Sequence, residues 1–294
     1  MTSPKFVQFM HPGYEHGPDT PGWKGWNTKD HRRKFLRAFG RYRRDIDAED
    51  ERAELTFWGE WEAQSKVEAL PPAAVGPRWV HTPMLQPLPT YRGAQNTDPF
   101  VFGDYFLYTC CKQRLRSGRP TQLRTLPHGS LILFGSHVAG GFGLDTVFVV
   151  DDHIDHHAPY ELAGAVPDPY IHTTVRPMYE MNADYCDPEQ VGWRLYRGRT
   201  PRESSDMFSF VPARPVDAAR PEGFMRPTVT LEPLTTPSLR QGQKITVLPP
   251  DELQSVWTEV VDQVLAHDLV LATTFDMPHV EASAEAMTGE RTRC

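Results

Sequence analysis

The sequence predicts an α+β, β-rich fold, with a curved antiparallel sheet or partly open barrel and a few flanking helices. Three observations carry that expectation. The 28 prolines and 21 glycines in 294 residues leave little room for long helices, because proline lacks an amide donor and clashes with the preceding turn. Short apolar stretches of strand length recur along most of the chain. A sustained helical period occurs in one segment near the end, so strands and helices do not alternate as a doubly wound parallel sheet requires.

The elements follow in chain order. Residues 10–28, rich in Gly, Pro and Trp, are expected to be irregular, and residues 30–39 to form a short basic helix with Phe35, Leu36 and Phe39 on its apolar side. Residues 54–67 read as a long strand, in which Trp58 points away from Phe57 and Trp61. The proline-rich stretch 71–99 reads as a long surface connection, and 104–111 as a second strand. The clearest unit is a hairpin over 131–150: Leu131-Ile132-Leu133-Phe134, a reversal at Ala139-Gly140-Gly141, and the apolar return Leu144 to Val150. It should lie at the centre of the sheet. Weaker strands are expected at 170–175, 193–197 and 207–211, and a last one from Leu269 to Thr274. In the convincing helix, Leu253, Val256, Trp257, Val260, Val261, Val264 and Leu265 recur at three- and four-residue steps, so residues 251–266 should pack on the core through Trp257. Asp251 and Gln254 read as its N-cap and capping-box partner.

Composition bounds the class. Hydrophobic residues at 39% and charged residues at 23% suit an ordered domain. One domain over 1–281 with a loose tail at 282–294 is expected. No apolar run approaches the roughly 20 residues that span a bilayer, and residues 1–10 lack a secretory apolar core, so a cytoplasmic protein with no membrane partner is expected. Cys110, Cys111, Cys186 and Cys294 form no C-x-x-C pair, and free thiols are expected. No cofactor is expected and no metal ligand is assigned. The net charge of −7 argues against a general polyanion binder. Two basic stretches nonetheless stand out, Lys29 to Arg44 and Lys112 to Arg124. From them Lys29, Arg32, Arg33 and Lys112 are candidate phosphate contacts.

The ordered run Asp104-Tyr-Phe-Leu-Tyr-Thr-Cys-Cys-Lys112, a basic linker, Leu126-Pro-His-Gly-Ser-Leu-Ile-Leu-Phe-Gly-Ser136 and Leu144-Asp-Thr-Val-Phe-Val-Val150 resembles the bacterial nucleotide-modification-associated domains. More loosely, it resembles the EVE and ASCH branches of the PUA-like barrels. The resemblance covers about residues 95–152 and departs where Gly129-Ser130 stands for the usual Gly-Asp. It implies a small PUA-like β-barrel with flanking helices. It also implies nucleic-acid or nucleotide binding, with recognition of a modified base in DNA modification or antiviral defence against phage.

The residues offer matching chemistry. Barrels that read flipped or single-stranded bases stack them on aromatic rings and bond their edges with amides or carboxylates. Trp26, Asn27, Trp58, Asn96, Asp98, Ser136 and His137 are therefore the candidate ligand-binding residues. The bland alternatives are that the tryptophans fill the core and that Gln95 to Asp98 is a polar turn. Asp151-Asp152-His153-Ile154-Asp155-His156-His157 has metal-ligating residue types, as does the group of His11, Glu15 and His16, but runs of this kind are more often exposed loops. No nucleophile elbow, Walker loop or dinucleotide fingerprint is present, and no catalytic residue is assigned. Two alternative functions remain. One is a metal-dependent enzyme acting on nucleotides or nucleic acid, a nuclease or hydrolase, starting from Glu60, Glu62 and the segment Gln64-Ser65-Lys66. The other is a structural or assembly protein that binds a protein partner.

Overall fold

Period-two burial and long-range pairing organise the chain into two sheets. The computed structural model describes residues 3–15, 17, 20–28, 32–73, 75–85, 95–115, 117–138, 141–182, 192–204, 206–236, 239 and 242–280. Its strands are β1 (Lys5–His11), β2 (Gly22–Lys24), β3 (Lys34–Arg43), β4 (Glu51–Gly59), β5 (Ser65–Ala69), β6 (Trp79–Leu85), β7 (Leu107–Tyr108), β8 (Leu131–Val138), β9 (Gly141–His156), β10 (Trp193–Gly198), β11 (Val211–Pro215), β12 (Thr228–Val229), β13 (Gly242–Val247), β14 (Val270–Phe275) and β15 (His279–Val280). Its α-helices are α1 (Asp168–Tyr170), α2 (Arg176–Asn182) and α3 (Pro250–Ala266). The protein is thus α+β and β-rich, as expected.

The first sheet runs β13-β1-β8-β9-β10-β7, with β12 on β9. The expected hairpin sits at its centre, paired antiparallel from Leu131 opposite Val149 to Val138 opposite Gly141; residues 139–140 of its reversal lie outside the described residues. The pairing is not purely antiparallel, because β1 lies parallel to β8 with Phe6 opposite Leu131. In the second sheet β3 pairs with β4, β4 with β11, β11 with β14, and β14 returns to β3, closing a four-stranded barrel. Gly40 permits that closure: a Cβ there would lie 2.3 Å from the Thr274 carbonyl oxygen. Strands β6, β5 and β2 extend the sheet beyond β3. Amide and carbonyl groups of Val147 and Phe210 bond reciprocally at 2.9 Å and tie β9 to the segment leading into β11.

Several local expectations are corrected. Residues 34–43 form β3 and not a basic helix, because pairing with β4 on one side and β14 on the other outweighs the helical spacing of Phe35, Leu36 and Phe39. The strand expected over 54–67 is two strands, β4 and β5, separated by Glu60 to Gln64. The strand at 104–111 shrinks to Leu107–Tyr108. Residues 170–175 are helical: a π turn, Ile171–Val175, joins α1 to α2. The strand placed at 207–211 is β11, at Val211–Pro215. The stretch 71–99 contains β6. Helix α3 begins after Pro249 with no side-chain cap, so the capping box at Asp251 and Gln254 is not formed. The tail from 282 lies outside the described residues.

Alternation sorts side chains into two cores. Leu131 and Leu133 of β8 join Trp58, Trp257, Val260, Val261 and Val264, whereas Ile132 and Phe134 join Leu36, Phe57 and Trp61. Trp257 is buried as expected, its indole N–H donating to the Phe208 carbonyl at 3.0 Å. Among the described residues no helix is long and apolar enough to cross a membrane.

Candidate functional site

Strand ends deliver charged side chains into the interior. His11 closes β1, Arg33 precedes β3 and Lys34 opens it, and Glu60 and Glu62 follow β4. Ser136 and Asp145 come from β8 and β9, and Arg226 from the chain before β12. All eight are buried. Charges at this depth require partners, and the partners are one another.

Arg33 lies between two acids. One guanidinium nitrogen donates to Glu60, and Nε lies 2.7 Å from Asp145 Oδ2. Burial weighs against the Arg33 charge, but Glu60 and Asp145 outweigh it and hold the group above its usual range. His11 Nδ1 is 2.8 Å from Glu60 Oε1, and Glu60 Oε2 accepts the Asp98 amide at 3.1 Å. Arg226 donates to Ser136 Oγ at 2.9 Å and to the Gly13 carbonyl, while Ser136 Oγ donates to Asp145 Oδ2 at 3.3 Å.

Beside this network lies a second, more amide-rich group. Lys34 Nζ donates to the Trp61 carbonyl and lies 3.9 Å from Glu62 Oε2. Burial pulls the Lys34 ammonium below its ordinary value, and Glu62 and Glu60 offset this in part. Asn27 Nδ2 donates to Glu62 Oε2, and the Asn27 amide donates to the Glu62 carbonyl at 2.8 Å. Thr97 Oγ1 accepts the Glu62 amide at 2.9 Å, the Gln95 amide donates to Asn27 at 2.9 Å, and the Trp26 indole donates to the Gln95 carbonyl at 2.8 Å. These bonds place Trp26, Asn27, Glu62 and the segment 95–97 in one layer. Within it, Glu62 Oε1 and Asn96 Nδ2 have no hydrogen-bond partner among the described residues, although their residues are 0% and 1% exposed.

The structure thus brings together Trp26, Asn27 and Asn96 of the expected ligand-binding residues, and separates the others. Trp58 is the core alternative realised: its indole donates to the Phe224 carbonyl at 2.7 Å, its ring packs on Phe35, and Arg226 covers it at 4.7 Å. It belongs to the other hydrophobic cluster and is not a stacking platform in this layer. Asp98 is a brace whose carboxylate accepts the amides of Thr109, Cys110 and Cys111 at 3.0, 2.7 and 2.9 Å. Burial pushes it up to about 7, against the pull of those amides. The segment 95–98 is therefore an interior support and not a surface turn: only Gln95 is partly exposed. Ser136 serves Asp145 and Arg226, and His137 is half-buried one residue further along β8.

The expected phosphate contacts divide in the same way. Arg33 is corrected to an internal counter-ion of Glu60 and Asp145. Arg32 and Lys112 are exposed, and Lys29 lies outside the described residues. Much of the first basic stretch is neutralised on the surface, with Arg37 on Glu68, Arg43 on Asp50 and Arg44 on Glu51. The nuclease set is rearranged too. Lys66 is exposed on β5, and Lys34 is the lysine beside Glu62. Arg33 occupies the position between Glu60 and Asp145 that a shared cation would need.

The histidine-rich run is the second half of β9, so its side chains alternate between faces. Asp151 meets Arg199 at 3.5 Å, Asp152 meets Arg197 at 3.9 Å, and Asp155 meets Arg194 and Arg124 at 2.8 and 3.0 Å. His156 turns inward between Thr109 and Tyr179, each at 3.0 Å, and burial lowers its imidazole to about 4.

Sequence reasoning missed Glu62 as a buried member of the layer with Trp26, Asn27 and Asn96, and missed Lys34, Asp145 and Arg226. The available signal was Glu60-x-Glu62 beside a strand whose apolar alternation demands burial. Against known proteins, a scan of family models finds no match, and searches of curated proteins and of solved structures return none.

Proposed function

We propose that the protein binds a nucleobase or nucleotide, free or within a nucleic acid, through the layer formed by Trp26, Asn27, Glu62 and Asn96. One observation carries this reading. A buried carboxylate oxygen of Glu62 and a buried amide N–H of Asn96 are without hydrogen-bond partners among the described residues, and both belong to this one layer. Unpaired buried polar atoms are costly, and a ligand offering one donor and one acceptor would satisfy both. Base edges present adjacent donors and acceptors of that kind, and amides and carboxylates read them. The exposed Arg32 and Lys112 remain available for phosphates. A modified base, and a role in DNA modification or antiviral defence, is the narrower form of the same proposal and rests on the resemblance over residues 95–152. A metal-dependent nuclease at Glu60 and Glu62 is less well supported, because Arg33 and Lys34 already neutralise those carboxylates.

The test is equilibrium binding of a panel of nucleosides, nucleoside monophosphates and short single strands to the wild type, Glu62→Gln and Asn96→Ala, with melting temperatures recorded alongside. Glu62→Gln replaces an acceptor with a donor, and should weaken the preferred base about tenfold or more, the effect of losing a charged hydrogen bond worth roughly 1.5–3 kcal/mol. For strands, Arg32→Ala and Lys112→Ala should each flatten the salt dependence of the affinity by roughly one unit. A panel that does not bind, or binding unchanged in folded Glu62→Gln and Asn96→Ala, would sink the reading.

A further inference from the structure

The turn after β7 carries a second constellation that the base-binding layer does not use. Thr109, Cys110 and Cys111 leave the strand, and Lys112 reverses the chain with a positive φ of 61°. Asp98 sets the shape of this turn by accepting three successive amides. The bracing has a chemical consequence. One ligand atom from each of Asp98, Cys110 and Cys111 lies within 4.8 Å of the others. Both cysteines are free thiols in half-buried residues. A carboxylate has about four acceptor positions. The three amides take one on Oδ1 and two on Oδ2, which leaves a position on Oδ1. Among the described residues no lysine or arginine pairs with Asp98, in contrast to Glu60, Glu62 and Asp145.

We propose that Asp98, Cys110 and Cys111 form a binding site for a thiophilic divalent cation, with zinc as the fitting ion. Two thiolates and one carboxylate oxygen would supply three tetrahedral positions, and solvent the fourth. Zinc–sulfur bonds of about 2.3 Å at tetrahedral angles put the sulfurs roughly 3.8 Å apart, which the spacing of the group accommodates. As the bonds form, each thiol, and the Asp98 carboxyl where it still holds its proton, releases that proton to solvent, so a dication meets two thiolates and the Asp98 carboxylate. The thiolates select zinc over magnesium or calcium, which prefer all-oxygen sites. The amides on Asp98 are the outer layer that orients a ligating carboxylate. This inference is independent of the base-binding reading.

The full chain, purified without a histidine tag and under reducing conditions, is titrated with cobalt(II) and then with zinc. The expected result is one equivalent of cobalt with thiolate-to-metal charge-transfer absorption, displaced by zinc. Zinc should also shield two thiols from a thiol-reactive disulfide reagent. The absorption should disappear in Cys110→Ser and in Cys111→Ser and persist in His153→Ala, which separates this site from the histidine-rich strand. Absence of the charge-transfer band in the wild type overturns the proposal, as does unchanged cobalt uptake in the folded double serine variant. Should the serine variants fail to fold, the wild-type band together with protection of two thiols decides in favour, and the lack of either decides against.

Discussion

The charges around Glu60 and those along β9 and β10 use the same residue types to different ends. Both regions pair aspartate or glutamate with arginine. Around Glu60 the pairs are enclosed, with Arg33 at 1% and Asp145 at 3% exposure, so each charge depends on its partner. Along β9 the carboxylates of Asp151, Asp152 and Asp155 face water, with side-chain exposures of 32%, 55% and 45%. Water screens those pairs, and surface ion pairs of this sort contribute little. The comparison teaches that local density is a poor guide to a site. A run of seven residues, six of them of metal-ligating type, became the end of a strand whose acids meet nearby arginines. The buried group was assembled from isolated residues of four strands and the intervening loops.

The sharpest way to break the comparison is to remove the shared cation. Arg33→Met takes away the partner common to Glu60 and Asp145, and breaking a buried pair in this way costs roughly 3–5 kcal/mol. Denaturant unfolding of the variant checks this, and a loss below about 1 kcal/mol would show that water supports these acids and that the network resembles the surface ladder. Trp58→Ala sharpens the same boundary. Its ring is clasped by Phe35, Phe224 and Arg226, so truncation should cost roughly 3–5 kcal/mol and leave base affinity unchanged in the protein that stays folded. A loss of affinity without a loss of melting temperature would return Trp58 to the ligand.

These two residues also show what was legible in the sequence. The central hairpin, the late amphipathic helix and the opposed faces of Phe57 and Trp58 were legible because they follow from local periodicity. Strand β3 was not, because its identity comes from β4 and β14, distant in sequence, and its spacing of Phe35, Leu36 and Phe39 suits a helix equally well. Parallel pairing of β1 on β8 and the closure at Gly40 are likewise long-range. For the site, Trp26, Asn27 and Asn96 were singled out by residue type alone. Glu62 was noticed only as part of a nuclease set, because nothing local reveals which of its carboxylate oxygens lacks a partner.

A smaller effect comes from His156, the buried last residue of β9. The imidazole titrates near 6.5 in an unfolded chain and at about 4 in the fold, where burial excludes the proton. Between those values the unfolded chain binds a proton that the native state refuses. The stabilising contribution is therefore complete above about pH 6.5 and lost as pH falls through 4. It amounts to at most about 3 kcal/mol. Asp98 acts in the opposite sense. Its carboxyl, raised to about 7 chiefly by burial, keeps a proton in the native state that the unfolded chain releases, so stability falls as pH rises from about 4 to 7. Comparing wild type with His156→Gln across pH 4–7 isolates the histidine, since Asp98 is common to both. The gap between the two curves should change steadily through this window, and parallel curves would show that His156 does not titrate differently on folding.

The smallest effect is expected at Asp155, and it tests the surface half of the comparison directly. Arg194 makes a two-pronged contact with its carboxylate, at 2.8 and 2.9 Å, and Arg124 adds a third at 3.0 Å. Arg194 chiefly holds the acid at about 2. Geometry this close looks as strong as that of Arg33, yet the carboxylate is 45% exposed, and solvent competes for every contact. Asp155→Ala should therefore cost roughly 0.2–1 kcal/mol. The cost should shrink further at high salt, where the screening length falls to about 3 Å at 1 M. Melting temperatures of wild type and variant at low and high ionic strength read both quantities. If the variant lost more than about 2 kcal/mol, and lost it equally at both salt concentrations, the β9–β10 pairs would have to be treated as an enclosed network like that of Arg33, and exposure would no longer be what separates the two regions.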